Sequence, residues 1–285
     1  MQPLFEHRLE LSGFETRALE LEGTGPPLIL LHGFADSADT WRLVLDRLGR
    51  ADRSAVALDL PGFGTADPLD RERSILDQLT EFAAEAVHRF APDGGAIVCG
   101  NSLGGALSLR LAQRPDLDLA GVVPVAPAGL DMARWFVIIE REPVLRSLLA
   151  SPFPVPPVVV QRVVLEVYKR LVFHRPGDIE PLVSRAFASH FTNRAAARRI
   201  LDAGRRMIPE LRDPFELERI DCPVLLVWGN RDVMVFRTGA ERVLESVEDA
   251  ELEVIEDCGH CPQIEAADRL ASVLLDFPAQ LARAA

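Results

Sequence analysis

Apolar and polar positions alternate over Leu4–Leu11 and again over Phe14–Leu21, with Ser12-Gly13 between them. Period-two patterning around such a dipeptide predicts an antiparallel hairpin. The next segment, PPLILLHGF (26–34), is almost continuously apolar until His32-Gly33, as suits a strand buried on both faces of a sheet. Helical spacing follows over 36–50. SAVALDLPGFG (54–64) then reads as a strand running into a Pro-Gly turn. Residues 74–90 read as a helix with Ser74 and Asp77 in capping-box-like positions. GGAIVCG (94–100) reads as a strand, 103–113 as a helix stopped near Arg114-Pro115, and AGVVPVAPAG (120–129) as another strand. Alternation of buried strands with amphipathic helices predicts a mostly parallel sheet with helices on both faces.

The rhythm breaks near Asp131. Over 131–212 no strand pattern is clear outside the Pro- and Val-rich stretch SPFPVPPVVV, and the remainder is helical with Arg-rich polar faces, as in 193–207. Strand and helix then alternate again: CPVLLVWGNRD (222–232), a helix over 237–248, ELEVIEDCGH (251–260) and a final helix from about 263 to 283. The predicted organisation is a core formed by 1–130 and 213–285, interrupted by a helical lid over 131–212. Such a lid covers the ligand-binding edge of a sheet. Internal repeats and low-complexity tracts are absent.

Composition narrows the class. Of 285 residues, 48% are hydrophobic and 26% charged, the profile of a globular chain long enough to bury its own core. The net charge of −12 argues against nucleic acid as a partner, because phosphate binding needs a basic face. Cys99, Cys222, Cys258 and Cys261 are too few and too scattered for a secreted disulfide framework. The N-terminal segment lacks the basic and apolar regions of a signal peptide, and no apolar run reaches the roughly 20 residues of a membrane helix. The expected location is the cytoplasm, with no membrane association.

Chemistry concentrates at Gly100-Asn101-Ser102-Leu103-Gly104, a G-x-S-x-G sequence between a predicted strand and a predicted helix. A turn that sharp holds Ser102 in a strained conformation with its hydroxyl above the sheet, and the glycines let neighbouring backbone approach. The helix that follows points its N-terminus at the same place, which favours developing negative charge. A serine hydroxyl needs a base. Among six histidines, His260 follows the last strand pattern, late in the chain. His7 and His88 fall on solvent-facing patterns, His174 and His190 lie in the insertion, and His32 sits at a strand end where it orders a loop. Asp232, just past the apolar VLLVWGNR, is the leading acid to orient His260, with Asp257 as its rival. Two donors must face the developing oxyanion. The N–H of Leu103 is one, and the N–H of Phe34, after His32-Gly33, is the other. Trp135, Phe136 and Val233 are candidate pocket residues. Phe153, Tyr168 and Phe173 could line the same acyl pocket, although at helical spacing all five insertion aromatics better fit a core internal to the insertion. Cys258 and Cys261 form a single C-x-x-C pair, which cannot complete a zinc site alone. Gly62-Phe63-Gly64 is no dinucleotide fingerprint.

These pieces, in this order, resemble the α/β-hydrolase superfamily, in the branch with a helical cap inserted after the sixth strand: HGF at 32–34, DLPGFGTAD at 59–67, GNSLGG at 100–105, WGNRD at 228–232 and CGHCPQIE at 258–265. The resemblance implies an eight-stranded sheet with a reversed second strand, a triad of Ser102, Asp232 and His260, and no cofactor. Ser102 stands where relatives that dehalogenate or open epoxides carry Asp. HGF departs from the HGGG of one lipase and esterase group. Many relatives continue the acid loop to a proline, and here Asp232 runs into Val-Met-Val-Phe. GNSLGG and the later APAGL are similar to C–C bond hydrolases of ring-fission products, which usually carry Trp where this chain has Cys261.

The resemblance implies a serine hydrolase acting on a small or medium carboxylic ester. The alternatives are a C–C bond hydrolase of a diketone-type ring-fission product, a thioesterase, and a non-catalytic small-molecule binding protein of the same fold. Charge is unevenly spread. Residues 131–212 carry a net +6 and the rest −18, so a basic insertion sits on an acidic remainder. Lid arginines such as Arg134 or Arg205 are then candidates to attract an anionic substrate, against the plainer reading of lid–core complementarity.

Overall fold

The computed structural model describes residues 3–132, 156–177, 179 and 194–284. Its strands are β1 (Leu4–Leu11), β2 (Phe14–Leu21), β3 (Thr24–Leu31), β4 (Arg53–Leu58), β5 (Ala96–Asn101), β6 (Leu119–Val125), β7 (Val224–Gly229) and β8 (Ala250–Ile255). They form one eight-stranded sheet in the order β1-β2-β4-β3-β5-β6-β7-β8. β2 runs antiparallel to both neighbours, and every other adjacent pair is parallel.

Alternating side chains explain why the central strands are apolar throughout. Ile29 and Leu31 of β3, with Val56 and Leu58 of β4, enter a core beneath α2 (Ile75–Phe90) and α3 (Leu103–Ala112). Leu28 and Leu30, with Ala55 and Ala57, enter a second core beneath α1 (Arg42–Arg50) and the C-terminal helix. Each strand therefore needs apolar residues at both parities. β1, at an edge, keeps most of its side chains at least partly exposed.

Two described α-helices follow β6 and precede β7 in the chain, α4 (Pro157–Val172) and α5 (Arg194–Glu210), with a 3-10 turn at Leu217–Arg219 after them. The Val run of SPFPVPPVVV is helical, because Pro157 occupies the first turn, where its missing N–H costs nothing. α5 packs against α2, and its Met207 joins the core under α2 and α3. Trp135, Phe136 and Phe153, like Arg134, lie outside the described residues.

Several boundaries shift from the sequence pattern. The 36–50 helix divides into a 3-10 turn, Ala38–Trp41, followed by α1. The strand in 94–100 begins only at Ala96, since Gly94 and Gly95 turn at φ +81 and +71. The last helix breaks at Ala266 (φ −136, ψ 43) into α7 (Pro262–Glu265) and α8 (Ala267–Ala284), where α6 (Gly239–Ser246) is the preceding helix. No described helix is long and apolar enough to cross a membrane.

Candidate active site

The loops at the C-terminal ends of β3, β5, β7 and β8 converge, as expected for a parallel sheet that binds at its carboxyl edge. Ser102 stands between β5 and α3 at φ 54, ψ −107, a conformation L-residues rarely adopt. Its N–H donates to the Val125 carbonyl at 2.9 Å, and its own carbonyl accepts from Ala106 and Ala128, each at 2.9 Å. The flanking glycines are sterically required. A Cβ on Gly100 would stand 2.1 Å from the Gly104 carbonyl oxygen, and one on Gly104 would stand 2.1 Å from that of Leu31. Ser102 is only partly buried, while Leu103 opens α3, so the Leu103 N–H has no acceptor within the helix.

The loop after β3 lies against this turn. A Cβ on Gly33 would be 3.5 Å from that of Ser102. His32 is fully buried and braces the loop: its Nε2 accepts from the Leu60 N–H at 2.9 Å, which leaves Nδ1 to donate to the Gly33 carbonyl at 2.7 Å. Phe34 is half-buried, edge-on to Phe63 at 5.3 Å between ring centroids. Asp59 anchors the far end. Its carboxylate, with no exposed surface, accepts from the N–H groups of Ala38 and Thr65, both at 2.8 Å, and from Arg17 at 3.1 Å. Burial alone would raise the Asp59 carboxyl, but the Arg17 bonds and the N–H donors of Ala38 and Thr65 hold it below the usual range.

His260 and Asp232 meet. The Nδ1 of His260 is 2.7 Å from Oδ2 of Asp232, and the side chains are 4% and 1% exposed. The second oxygen of Asp232 accepts from the N–H of Met234 at 2.8 Å and of Val235 at 3.1 Å. Asp257 is instead exposed and paired with Arg175 at 3.2 Å. Val233, between Asp232 and Met234 in the chain, is 57% exposed.

Several contributors carried no signal in the sequence. Asn101 sits at the variable position of G-x-S-x-G, yet its Nδ2 donates to the His260 carbonyl at 2.9 Å, tying the serine turn to the histidine loop. Its Oδ1 accepts from the buried Gln263 Nε2 at 3.1 Å. Asp36, also buried, is pushed up to about 7 by burial, against the Ser37 N–H and Thr40 hydroxyl that favour its charge. Cys258 and Cys261 are free and buried, and burial pushes both thiols up, away from the reactive thiolate. Among the described residues no group of His, Cys, Asp and Glu is arranged to hold a metal ion. Tyr168 and Phe173 stack edge-on at 5.7 Å and pack with the core beneath α2 and α3. A cavity of about 250 Å³ lies beside the loop after Phe34, lined by Asp36, Phe63, Leu69, Arg71, Arg199 and Arg206 among others.

Chemically, a strained serine at a helix N-terminus stands beside the loop after β3, with a buried imidazole–carboxylate pair linked to its turn through Asn101. An arrangement of this kind can support nucleophilic acyl transfer.

Comparison with known proteins agrees with this architecture. The alpha/beta hydrolase family matches residues 28–273. The chain is 30% identical over 278 residues to the dihydrolipoyllysine-residue acetyltransferase component of the acetoin cleaving system of Pseudomonas putida, covering 95% of this chain and 68% of that protein. It is 28% identical to the 2-hydroxy-6-oxo-6-(2'-aminophenyl)hexa-2,4-dienoic acid hydrolase of Metapseudomonas resinovorans, over 95% of this chain and 90% of that one. A bacterial membrane phospholipase A superimposes with a TM-score of 0.78 at 24% identity, over 98% of this chain and 86% of that one, and shares the fold. Esterases and lipases also appear among the relatives, at 24–27% identity. The chain belongs to the alpha/beta hydrolase family and is a hydrolase.

Proposed function

We propose that the protein is a serine hydrolase that cleaves a carboxylic ester of a small or medium substrate, with Ser102 as nucleophile, His260 as base and Asp232 orienting it. The observation that carries this reading is the buried His260–Asp232 pair at 2.7 Å, bonded through Asn101 to the strained turn that presents Ser102. His260 takes the Ser102 proton at Nε2 while Nδ1–H stays on Asp232. The Ser102 oxygen attacks the ester carbonyl, and the N–H groups of Phe34 and Leu103 receive the oxyanion. The imidazolium then protonates the departing alkoxide. Water, deprotonated by His260, attacks the acyl-enzyme and releases the acid and free Ser102. Loss of one oxyanion donor typically costs about 3–4 kcal/mol of transition-state stabilisation. No cofactor enters this scheme.

Residues 131–212 act in this reading as a cap over the core of 1–130 and 213–285. Their net charge of +6 supports a carboxylate-bearing substrate, whereas the cavity near Asp36 carries Asp202 beside Arg71 and Arg199 and is lined by none of Ser102, Asp232 and His260. Arg206 is engaged with the Arg71 carbonyl at 2.8 Å, so its guanidinium shapes that cavity's wall. Arg205 lies exposed on α5. If an ester and its carboxylate-bearing analogue show the same salt dependence of kcat/KM, the anionic preference is wrong.

A second reading, C–C bond hydrolysis of a vinylogous diketone, is favoured by the similarity over 95% of the chain to the dienoic acid hydrolase. The same serine and histidine serve it. A panel of p-nitrophenyl esters, acyl thioesters and vinylogous diketones separates these readings. Turnover of esters, abolished in Ser102→Ala with the fold retained, supports the first. Turnover confined to diketones or thioesters replaces it.

A further inference from the structure

The end of the inserted helix α4 is built into the histidine loop. Val172 is its last residue, and the Val172 carbonyl, orphaned by the helix ending there, accepts the His260 N–H at 2.8 Å. Both oxygens of Glu265 accept from the His174 N–H, at 3.1 and 3.0 Å. The same oxygens lie 3.3 and 3.2 Å from the donating Gly259 N–H. One carboxylate thus bridges the backbone just after α4 to the residue immediately before His260. The contact is backbone against backbone. A Cβ on Gly259 would meet the Val172 oxygen at 2.6 Å, the His174 nitrogen at 2.7 Å and a Glu265 oxygen at 2.8 Å. Arg175 and Asp257 pair at 3.2 Å on the rim of the same junction.

Asp232 restrains only the imidazole ring of His260. Its main chain is held by two bonds, the Val172 carbonyl on one side and Asn101 on the other. Asn101 belongs to the sheet, whereas Val172 belongs to the insertion. The register of the histidine therefore depends on where the end of α4 is seated, and Glu265 fixes that seat.

We infer that Glu265 is a positioning residue that clamps the end of α4 to the Gly259–His260 backbone, so that docking of the insertion sets the placement of His260. This rests on the reading of His260 as the base. The clamp works through N–H donors, which requires an acceptor oxygen at position 265 and not a charge as such. A displacement of about 1 Å at a reacting group can cost about a hundredfold in rate. Releasing the clamp lowers kcat by shifting the histidine and leaves KM nearly unchanged, because both Glu265 oxygens are committed to the His174 and Gly259 N–H groups.

The test compares Glu265→Ala, Glu265→Gln and His260→Ala in the full-length protein, with an ester substrate and with active sites titrated by a fluorophosphonate. A merely structural role would reduce the number of titratable sites and leave the rate per site at the parental value. The clamp predicts a per-site kcat about ten- to a hundredfold lower in Glu265→Ala, with KM within about threefold. Glu265→Gln, which keeps one acceptor oxygen, restores most of that rate. Parental per-site kcat in Glu265→Ala, or equal losses in the Ala and Gln variants, overturns the inference. If Glu265→Ala does not fold, Gly259→Ala pushes the end of α4 away from the same junction, and parental per-site kcat there also overturns it. Full turnover in His260→Ala removes the base assignment itself. An inactive His260→Ala beside a parental Glu265→Ala leaves that assignment standing and removes only the clamp.

Discussion

Asp232 holds His260 with one carboxylate oxygen, at 2.7 Å from Nδ1, and spends the other on the backbone N–H groups of Met234 and Val235. The carboxylate is thereby fixed in rotation, and Nδ1 is committed to donating. In the proposed mechanism this leaves Nε2 free to take a proton.

Asp232→Asn follows directly. An amide in this frame keeps its oxygen on the two N–H donors and turns its NH2 toward Nδ1, which forces the other tautomer. The expected loss is about 10⁴-fold in kcat with a normal thermal transition. Asp257→Asn changes an exposed residue and shifts kcat/KM by less than about 0.5 kcal/mol in activation free energy. Steady-state kinetics of the two variants side by side decide between the acids. A larger loss in Asp257→Asn reverses the assignment.

Gly104→Ala probes the serine turn. Its Cβ would fall 2.1 Å from the Leu31 carbonyl oxygen, which is backbone and has no rotamer to retreat into. The expected cost is about 1–3 kcal/mol of stability, together with a misplaced Leu103 N–H. Denaturant unfolding measures the first effect and fluorophosphonate labelling rates the second. Parental values of both would mean that the turn relaxes freely.

Asp36 supplies a pH signature. Burial raises its folded-state value to about 7, above that of the unfolded chain. The folded protein therefore keeps the proton through a window in which the unfolded chain has lost it. The favourable contribution is complete below about pH 4 and is lost as pH rises to about 7. Asp36→Asn retains an acceptor for the Ser37 N–H and carries no charge. Its Tm is expected to exceed the parent's at about pH 8 and to approach it as the pH falls toward about 5. A pH-independent gap would mean that Asp36 does not hold its proton in the folded protein.

The sheet was legible because burial on two faces writes itself as uninterrupted apolar runs: Leu28–Leu31 divide between two cores by parity alone. The serine turn was legible because Gly100 and Gly104 meet backbone where any side chain clashes. What escaped the sequence pattern is long-range. Ser74 caps α2 from within, accepting the Asp77 N–H at 3.1 Å, but Glu210 of α5 caps the same helix from across the fold, accepting from Leu76 at 2.8 Å. Asn101, Gln263 and Glu265 work in the same way, through partners far away in sequence. Polar residues of this kind have no periodicity to betray them. The break at Ala266 escaped too, because helical spacing continues through it.

In the proposed mechanism Ser102 is a nucleophile activated by His260. Incubation with a fluorophosphonate, followed by intact mass and peptide mapping, tests it most directly. One adduct per chain is expected, located on Ser102, formed in step with loss of ester turnover and absent from Ser102→Ala. An unlabelled parent that still turns over esters, or an adduct that persists in Ser102→Ala, would contradict it.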